Sequence, residues 1–321
     1  MIHQIAENLH QVQIPLPNSP LQSLNSYFIT GPEGNLIVDT GMNRPECLQA
    51  MQQALAELGL DLEQTDLFIT HLHADHLGLA GHLHRPSRRV YFNQPDAQRL
   101  SGFDRWGELF AFGLQNGMPP EAMQTISRDH PGKKFEPVGR LDFTILKNGD
   151  CLERNGFRFT CVATPGHTPG HLCLYEPRRR LLIAGDHILG DITPNIQAWN
   201  WQDNPLGRYL ESLAMVRELD IDLVLPGHRR LIHDPRQRID QLIEHHRVRL
   251  AEVLSILEAG QMDAFQVASH MTWDIGPHWD RFPVLQWWFA TGEALSHLRY
   301  LEQEGRLRRD KQGDKMVFAL A

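Results

Sequence analysis

The chain has 321 residues and a formal net charge of −8, so it is long enough for about two domains at roughly 150 residues each. The negative charge argues against wholesale nucleic-acid binding, though not against a local basic patch. No apolar run is long enough to cross a bilayer, and the N-terminus lacks the layout of a signal peptide. The four cysteines show no paired CxxC spacing, which predicts reduced thiols in a cytoplasmic protein.

The first 70 residues predict strands around one helix. Short β-rich pieces, including 25–29 and 35–41, are separated by proline, glycine and asparagine. Asn43 followed by Glu46 predicts a helix start, and apolar residues at helical spacing continue to Gly59. A further apolar run leads to Thr70. The order of strand, helix and strand is typical of a layered α/β protein.

Residues 71–76 concentrate three imidazoles and one carboxylate directly after that strand. Imidazole nitrogen and carboxylate oxygen are the ligands that zinc and its neighbours prefer. Extended backbone would let His71 and His73 leave the same face, and the following turn would aim Asp75 and His76 at a second position beside the first. The arrangement predicts two metal ions.

Residues 98–132 interrupt the strands with an apolar and aromatic segment that predicts a helical hairpin around residues 117–120. Next to a metal site, such an insertion would form a lid or a substrate wall. An amphipathic helix pair that simply covers the sheet is the alternative. The residues that carry this prediction are Phe103, Trp106, Leu109, Phe110, Phe112, Leu114, Met118 and Met123.

The pattern of an apolar strand followed by a turn with His or Asp recurs in the second half of the chain. It places His167 and His171, then Asp186, then His228 after successive strands. Because ligands gather at the carboxyl ends of strands in α/β sheets, these turns can converge on one edge. The candidate metal ligands are His71, His73, Asp75, His76, His167, Asp186 and His228. Six other histidines are assigned to the surface or to the core: His3, His10, His130, His245, His246 and His297.

Beyond residue 240 the chain changes to helices, with a long one at 244–259, and ends in a β-hairpin. This order predicts a separate winged-helix domain at 241–321, after a catalytic domain at 1–240. We expect the tail to pack on the catalytic domain, to narrow the site entrance or to support a homodimer, with its tryptophans as packing residues.

The ligand set, in its order along residues 5–240, resembles the metallo-β-lactamase superfamily, whose hallmark is HxHxDH with a later His, a bridging Asp and a final His. The resemblance implies an α/β fold, a four-layer αββα sandwich. It also implies one ion on His71, His73 and His167, a second on Asp75, His76 and His228, and Asp186 as the bridge. Asp39 would orient a ligand imidazole, and His171 would be a support.

The resemblance further implies a dinuclear hydrolase in which a metal-bridging hydroxide is the nucleophile, with Asp75 as the catalytic carboxylate. We expect zinc in at least one site, while the all-nitrogen and oxygen donor set also admits Mn or Fe. Asp186 stands where the commonest dizinc β-lactamases have Cys, and His73 stands where flavo-diiron proteins have Glu. The short spacing from Asp186 to His228 excludes the nuclease branch with a large late insertion.

The C-terminal segment is similar to that of a branch containing bacterial hydrolases, fungal acyl-carrier-protein thioesterases and an animal mitochondrial endoribonuclease. Glyoxalase II has a different C-terminal helical domain, which counts against that activity. In one hypothesis the chain cleaves a thioester or ester of a small-molecule or carrier-bound acyl group, with no membrane partner. Trp199, Asn195 and Arg229 are the candidate substrate contacts, together with Trp201 and Arg230; core packing and a solvated turn are the alternatives for these tryptophans and arginines.

In the other hypotheses the chain is an endoribonuclease or phosphodiesterase, or a regulator that binds nucleic acid through the winged helix. The helix predicted at 293–304 carries Glu293, Glu302 and Glu304 against Arg299. These acidic side chains would repel phosphate rather than release counterions. DNA binding is therefore disfavoured, and RNA cleavage stays open.

Overall fold

A computed structural model describes residues 1–102, 105–274 and 278–321, which form two main β-sheets. The seven strands of the first sheet lie side by side in chain order: β1 (Ile2–Ala6), β2 (Leu9–Pro15), β3 (Ser23–Ile29), β4 (Asn35–Val38), β5 (Thr65–Phe68), β6 (Val90–Asn93) and β7 (Phe143–Leu146). Pairing is antiparallel from β1 to β4 and parallel from β4 to β7. The carboxyl ends of β4 to β7 therefore share one edge.

The second sheet has five strands: β8 (Cys151–Arg154), β9 (Phe157–Ala163), β10 (Leu172–Glu176), β11 (Leu181–Gly185) and β12 (Leu223–Pro226). Only β11 and β12 pair in parallel, and the other pairs are antiparallel. The two parallel strands end at the same edge.

Eleven α-helices lie in the described part of the chain: α1 (Pro45–Glu57), α2 (Ala74–Leu77), α3 (Ala80–Leu83), α4 (Gln94–Ser101), α5 (Arg105–Gln115), α6 (Pro120–Asp129), α7 (Pro131–Lys134), α8 (Pro205–Arg217), α9 (Pro235–Leu257), α10 (Ala264–His270) and α11 (Val284–Gln303). The antiparallel hairpin β13 (Leu307–Gln312) and β14 (Lys315–Leu320) ends the chain. Among the described residues, no helix has the length and apolar character needed to span a membrane.

The two sheets pack face to face, and helices cover their outer faces, which gives four layers. Leu36 and Val38 of β4 join the core between the sheets, whereas Ile37 joins the cluster formed with α1. In β11, Ile183 lies in the core between the sheets and Leu182 packs in the cluster with α8. Because successive side chains leave opposite faces of a strand, each sheet buries both faces. The expected αββα sandwich is confirmed.

The helical hairpin of the insertion packs on the C-terminal helices, whereas Leu100, at the start of the insertion, lies in α4 and packs against the cluster of the first sheet. Leu109 of α5 and Met123 of α6 share an apolar cluster with Trp288 of α11, and Trp199 borders the same cluster. The described members of this cluster include no strand residue, so the alternative of a helix pair covering the sheet is wrong. The helical hairpin itself is present, as α5 and α6. Phe103, which supported that prediction, lies outside the described residues.

The predicted domain boundary at residue 240 lies inside α9. Asp234 caps this helix by accepting a hydrogen bond from the amide of Gln237, with Pro235 in the first turn, so the helix begins earlier than predicted. Its first part packs against α8 through Leu242, and its later part packs against the C-terminal cluster through Val253. One continuous helix thus connects the two parts. The helices followed by a hairpin occur as expected, and their assignment as a winged helix stays a prediction.

Candidate metal centre

Five turns meet at one edge of the sandwich, where β4, β5, β9, β11 and β12 end. Backbone hydrogen bonds fix them together: the amide of Leu172 donates to Thr70 O at 2.9 Å, and the amide of Gly227 donates to Gly185 O at 2.7 Å. The amide of Asn25 in β3 donates to Gly227 O at 2.7 Å and so joins the two sheets. All seven predicted ligands lie at this edge, in two groups joined by an overlapping third set: His71, His73 and His167; Asp75, His76 and His228; and, between them, His71, His76 and Asp186.

The first group consists of three imidazoles. His73 Nδ1 lies 3.0 Å from His71 Nε2 and 2.9 Å from His167 Nε2. Lone pairs that face one another at this distance repel unless a proton or a cation lies between them. Burial lowers the pKa of His71 well below its usual value, and it lowers the pKa of His73 to about 3. These rings are therefore neutral near pH 7, as metal ligands must be.

The second group combines carboxylates and imidazoles. His228 Nε2 is 3.3 Å from Asp75 Oδ2, and His76 Nε2 is 3.4 Å from Asp186 Oδ1. Asp186 Oδ2 is 3.6 Å from both His167 Nε2 and His228 Nε2, which places Asp186 between the groups. Burial would raise the pKa of Asp186, but His228 and His76 outweigh it and hold this pKa well below its usual value. The carboxylate is therefore ionised.

Oxygen atoms outside the cluster fix the tautomers of its histidines. His167 Nδ1 lies 2.9 Å from Asn195 O, and His228 Nδ1 lies 2.8 Å from Ser23 O. A carbonyl only accepts, so each Nδ1 carries a hydrogen, and Nε2 is the atom that has a lone pair when the ring is neutral. His76 Nδ1 likewise donates its hydrogen to the carboxylate oxygen Asp39 Oδ2, at 2.7 Å. Such outer hydrogen bonds orient metal-binding histidines.

Three buried polar atoms of these groups make no hydrogen bond of good geometry in the described structure: His76 Nε2, His228 Nε2 and Asp186 Oδ1. Each of the two nitrogens nevertheless lies 3.3 or 3.4 Å from a carboxylate oxygen. Most buried polar atoms are paired, so each exception needs an explanation. The ligand atoms within each group lie within 4.8 Å of one another. A divalent cation would satisfy the three unpaired atoms. The donors are nitrogen and oxygen only, a set that fits Zn, Mn or Fe.

Asp39 and His171 lie around the groups and belong to none of them. Asp39 adopts φ 60° directly after β4 and accepts hydrogen bonds from the amide of Thr70 at 2.8 Å and its hydroxyl at 2.9 Å. His171 Nε2 accepts from the amide of Asp186 at 3.1 Å, and its Nδ1 pairs with the hydroxyl of Thr164 at 2.7 Å. Both side chains therefore hold ligand-bearing turns.

Asp96 was missed by the sequence analysis. Its buried carboxylate accepts from the amide of Leu72 at 3.0 Å, the hydroxyl of Thr168 at 2.8 Å and the amide of Gly170 at 2.9 Å. It thereby connects the turn of His71 and His73 to the turn of His167. A signal was present, because Asn93 caps α4 by accepting from the amide of Asp96, directly after β6. That is again a polar segment at the end of a parallel strand.

The predicted substrate residues have different surroundings. The ring of Trp199 stacks on the ring of His73, with the two ring centres 6.3 Å apart, so Trp199 borders the metal groups. The guanidinium carbon of Arg99 lies over the Trp199 ring, 4.2 Å from its centre. Trp201 instead donates to Gln115 Oε1 at 2.9 Å and packs on Phe112, a core position.

The remaining predicted contacts are engaged within the protein. Arg229 donates to Pro20 O at 2.5 Å, in the turn before β3. The side chain of Asn195 donates to Glu293 of α11 at 3.0 Å. Arg230 pairs with Asp191 on the surface. Of the predicted substrate contacts, Trp199 is the side chain that the structure brings to the metal groups.

Known proteins resemble both parts of the chain. Residues 20–228 match the family described as metallo-beta-lactamase superfamily, and residues 250–319 match the metallo-beta-lactamase-like C-terminal domain. A probable metallo-hydrolase of Bacillus subtilis is 24% identical over 97% of this chain and 98% of its own length. An atrochrysone carboxyl ACP thioesterase of Aspergillus fumigatus is 24% identical over 70% of this chain, which spans 42% of that protein.

A solved structure has the same fold along the whole chain. It is a metallo-beta-lactamase family protein from Thermus thermophilus, 28% identical, with a TM-score of 0.83 over 99% of this chain and 100% of that one. The family match covers well over half of the sequence and ends at His228, the last member of the metal groups. This chain belongs to the metallo-beta-lactamase superfamily.

Proposed function

We propose that this protein is a hydrolase with two divalent metal ions that cleaves esters or thioesters. The observation that carries the proposal is the pair of ligand groups on either side of Asp186, with unpaired buried nitrogens and oxygen directed into them. His71, His73 and His167 would hold one ion, and Asp75, His76 and His228 the other. Bound divalent ions would supply a water of lowered pKa and an electrophile for the substrate oxygen.

Residues of the chain orient the metal ligands and balance the charge of the ions. Asp39 and Asn195 fix the tautomers of His76 and His167, so that ligand nitrogens point inward before substrate binds. Asp75 and Asp186 stay ionised beside the histidines, and their negative charge balances a cation. Rigid placement of this kind lowers the reorganisation needed during reaction.

An apolar surface next to the site favours an acyl substrate. Trp199 stacks beside His73 and also packs against the apolar cluster that the insertion forms with α11. Several members of this cluster are only partly buried, among them Phe110 and Phe289. A partly exposed aromatic surface beside hydrolytic residues suits an acyl chain better than a phosphate backbone. The distant likeness to a thioesterase supports the same choice.

The helix that would read nucleic acid is largely buried. In α11 the described residues from Ala294 to Arg299 are buried, and Arg299 pairs with Glu302 and donates to Trp201 O at 2.7 Å. A buried helix cannot enter a groove, which counts against a nucleic-acid-binding regulator. Endoribonuclease or phosphodiesterase activity stays as the second candidate, because the same metal groups suit it.

The location and the metals belong to the same proposal. All four cysteines are free, and three are buried, which supports a reducing compartment such as the cytoplasm. Zinc is the expected metal, with Mn or Fe as alternatives. We keep the winged-helix assignment and a homodimer as further proposals.

The test is thiol release from acyl-CoA and acyl-glutathione thioesters, beside cleavage of a fluorescent single-stranded RNA, each with and without a chelator. Chelator-sensitive thiol release with intact RNA is the expected result. RNA cleavage without thiol release would replace the thioesterase proposal by the nuclease one. Thiol release that a chelator leaves unchanged would contradict the metal mechanism.

A further inference from the structure

One loop residue contacts both a metal-group histidine and the C-terminal helix. The carbonyl of Asn195 accepts the hydrogen of His167 Nδ1 at 2.9 Å. Its side-chain amide donates to Glu293 Oε2 of α11 at 3.0 Å. The backbone and the side chain of the same residue therefore join the first ligand group to the C-terminal part of the chain.

The segment around Asn195 has no regular structure of its own. Residues 193–199 form neither helix nor strand, so no ladder of backbone hydrogen bonds fixes their position. They are held by α11: the amide of Ala198 donates to Gly292 O at 3.3 Å, and a Cβ at Gly292 would lie 2.9 Å from Gln197 Nε2. Glycine inside a helix is less favourable than alanine. Here it allows the loop to approach the helix.

Glu293 is itself held in place. Its side chain is 13% exposed, and Oε1 lies 4.0 Å from Arg249 Nε of α9. Arg249 is anchored by Glu252 at 2.6 Å and by Thr272 O at 2.6 Å, and its guanidinium stacks on Trp273. A carboxylate next to an anchored cation has a defined position, so its hydrogen bond to Asn195 has one as well.

We propose that Glu293 is a positioning residue of the metal site. Through Asn195 it fixes the carbonyl that orients His167, so the C-terminal helix takes part in binding the first ion. This inference rests on the proposed function, because it assumes that His167 binds a metal. Loss of such an outer partner typically weakens metal binding about 10- to 100-fold.

The experiment is a Co²⁺ titration of the metal-free full-length protein, followed by absorption spectroscopy, with metal content measured after dialysis. Glu293→Ala and Asn195→Ala are each expected to weaken one of two Co²⁺ sites about 10- to 100-fold and to leave the other unchanged. Glu293→Gln keeps an oxygen acceptor for Asn195 and is expected to stay within a few-fold of wild type. The double variant is expected to be no weaker than either single variant, because both changes break one connection.

Glu302→Ala is the matched control, since Glu302 lies on the same helix and pairs with Arg299 and Arg309. Its Co²⁺ affinities are expected to equal those of wild type. Wild-type affinity at both sites in Glu293→Ala overturns the inference, and so does equal weakening in Glu302→Ala. If Glu293→Ala does not fold, by circular dichroism, Asn195→Ala removes the same connection, keeps the contact between Glu293 and Arg249, and decides the question.

Failure of the proposed function would look different. His167→Ala should remove one Co²⁺ site outright. If the wild type binds fewer than two ions, or if His167→Ala leaves both sites intact, the metal arrangement itself is wrong. If His167→Ala removes one site while Asn195→Ala and Glu293→Ala change neither, the metal arrangement stands and the role of Glu293 is wrong.

Discussion

Substitution of Asp75 is the most direct test of the second ligand group. Its Oδ2 lies 3.3 Å from His228 Nε2, and its side chain is 15% exposed. We expect Asp75→Ala to reduce bound metal from two ions to one and to lower hydrolysis by at least about 100-fold, because loss of outer partners alone already costs about 10- to 100-fold. Metal content after dialysis and thiol release measure these effects.

The matched control for Asp75→Ala is Asp142→Ala, at an exposed carboxylate beside Arg140. It should change neither metal content nor rate. Full activity in Asp75→Ala with one ion bound would contradict the two-ion mechanism.

The raised pKa of Asp96 predicts that the stability of the protein depends on pH. Burial raises the pKa of its carboxyl to about 6, against hydrogen bonds from Thr168, Gly170 and Leu72 that lower it; the unfolded value is about 3.9. Since the folded state disfavours the charge, the contribution of this group to stability is complete below about pH 4 and is lost as the pH rises through about 6. Asparagine at this position does not titrate.

We therefore expect the free energy of unfolding of metal-free Asp96→Asn to rise relative to that of wild type between pH 4 and pH 7. Two pKa units correspond to about 3 kcal/mol at most, at about 1.4 kcal/mol each. Urea denaturation of both proteins across this range measures the difference. A difference that stays constant, or that moves in favour of wild type, would show that the buried carboxylate does not titrate in this way.

At the scale of elements, the end of α2 depends on a close approach. A Cβ at Gly78 would lie 2.5 Å from the amide nitrogen of Asn43 and 2.4 Å from Ala74 O. Gly78→Ala should therefore force the turn that carries Asp75 and His76 away from residues 41–43. Overpacking of this kind typically costs about 1–3 kcal/mol.

Chemical denaturation of Gly78→Ala should show that loss of stability, accompanied by reduced metal content. Gly102→Ala is the control, because among the described residues its added Cβ would meet nothing closer than Arg99 O at 3.5 Å. That variant should stay within about 0.5 kcal/mol of wild type. Equal stability of the two variants would mean that the backbone near Gly78 yields easily.

The start of α1 shows how tertiary contacts overrule a local signal. Asn43 was predicted to begin this helix, but Arg44 is the N-cap and makes no side-chain cap hydrogen bond. The side-chain amide of Asn43 donates to Glu136 O at 2.7 Å, and its side-chain oxygen pairs with His82 at 3.0 Å. Both partners are distant in sequence, so the local pattern could not reveal them.

For the whole molecule, the two parts share their cores and should unfold together. Phe112 of the insertion and Ala198 of the loop at residues 193–199 lie in one apolar cluster with Val253 and Leu298. We expect far-UV circular dichroism and tryptophan fluorescence to give coincident urea transitions. Four of the seven tryptophans lie beyond residue 240, so fluorescence reports strongly on the C-terminal part.

A chain cut after residue 240 should fail to fold stably, because Leu109 and Met123 would lose the cover of Trp288. Binding of a hydrophobic dye and aggregation during gel filtration would reveal this. A stable monomer with two bound ions, or two separated transitions in the full chain, would show that the parts are independent.

The sequence alone determined the order of strands, the layered α/β class and the seven residues that the structure brings together. These features could be read because each ligand-bearing turn follows an apolar strand, and strands that run in the same direction in a sheet end at one edge. The family and its αββα fold, inferred from the same residues, are confirmed. The insertion hairpin and the terminal hairpin were also readable from periodicity and turn residues.

Only the tertiary structure decided which partners surround the site. The carbonyls of Ser23 and Asn195 carry no side-chain signature, so no sequence pattern could assign them to His228 and His167. The insertion was expected to cover the sheet or to wall the site, and only the structure shows that its hairpin packs on α11, which lies far away along the chain. Contacts between distant segments depend on how the layers stack. Local spacing fixes the direction of a side chain along its own element and not the segment that it meets.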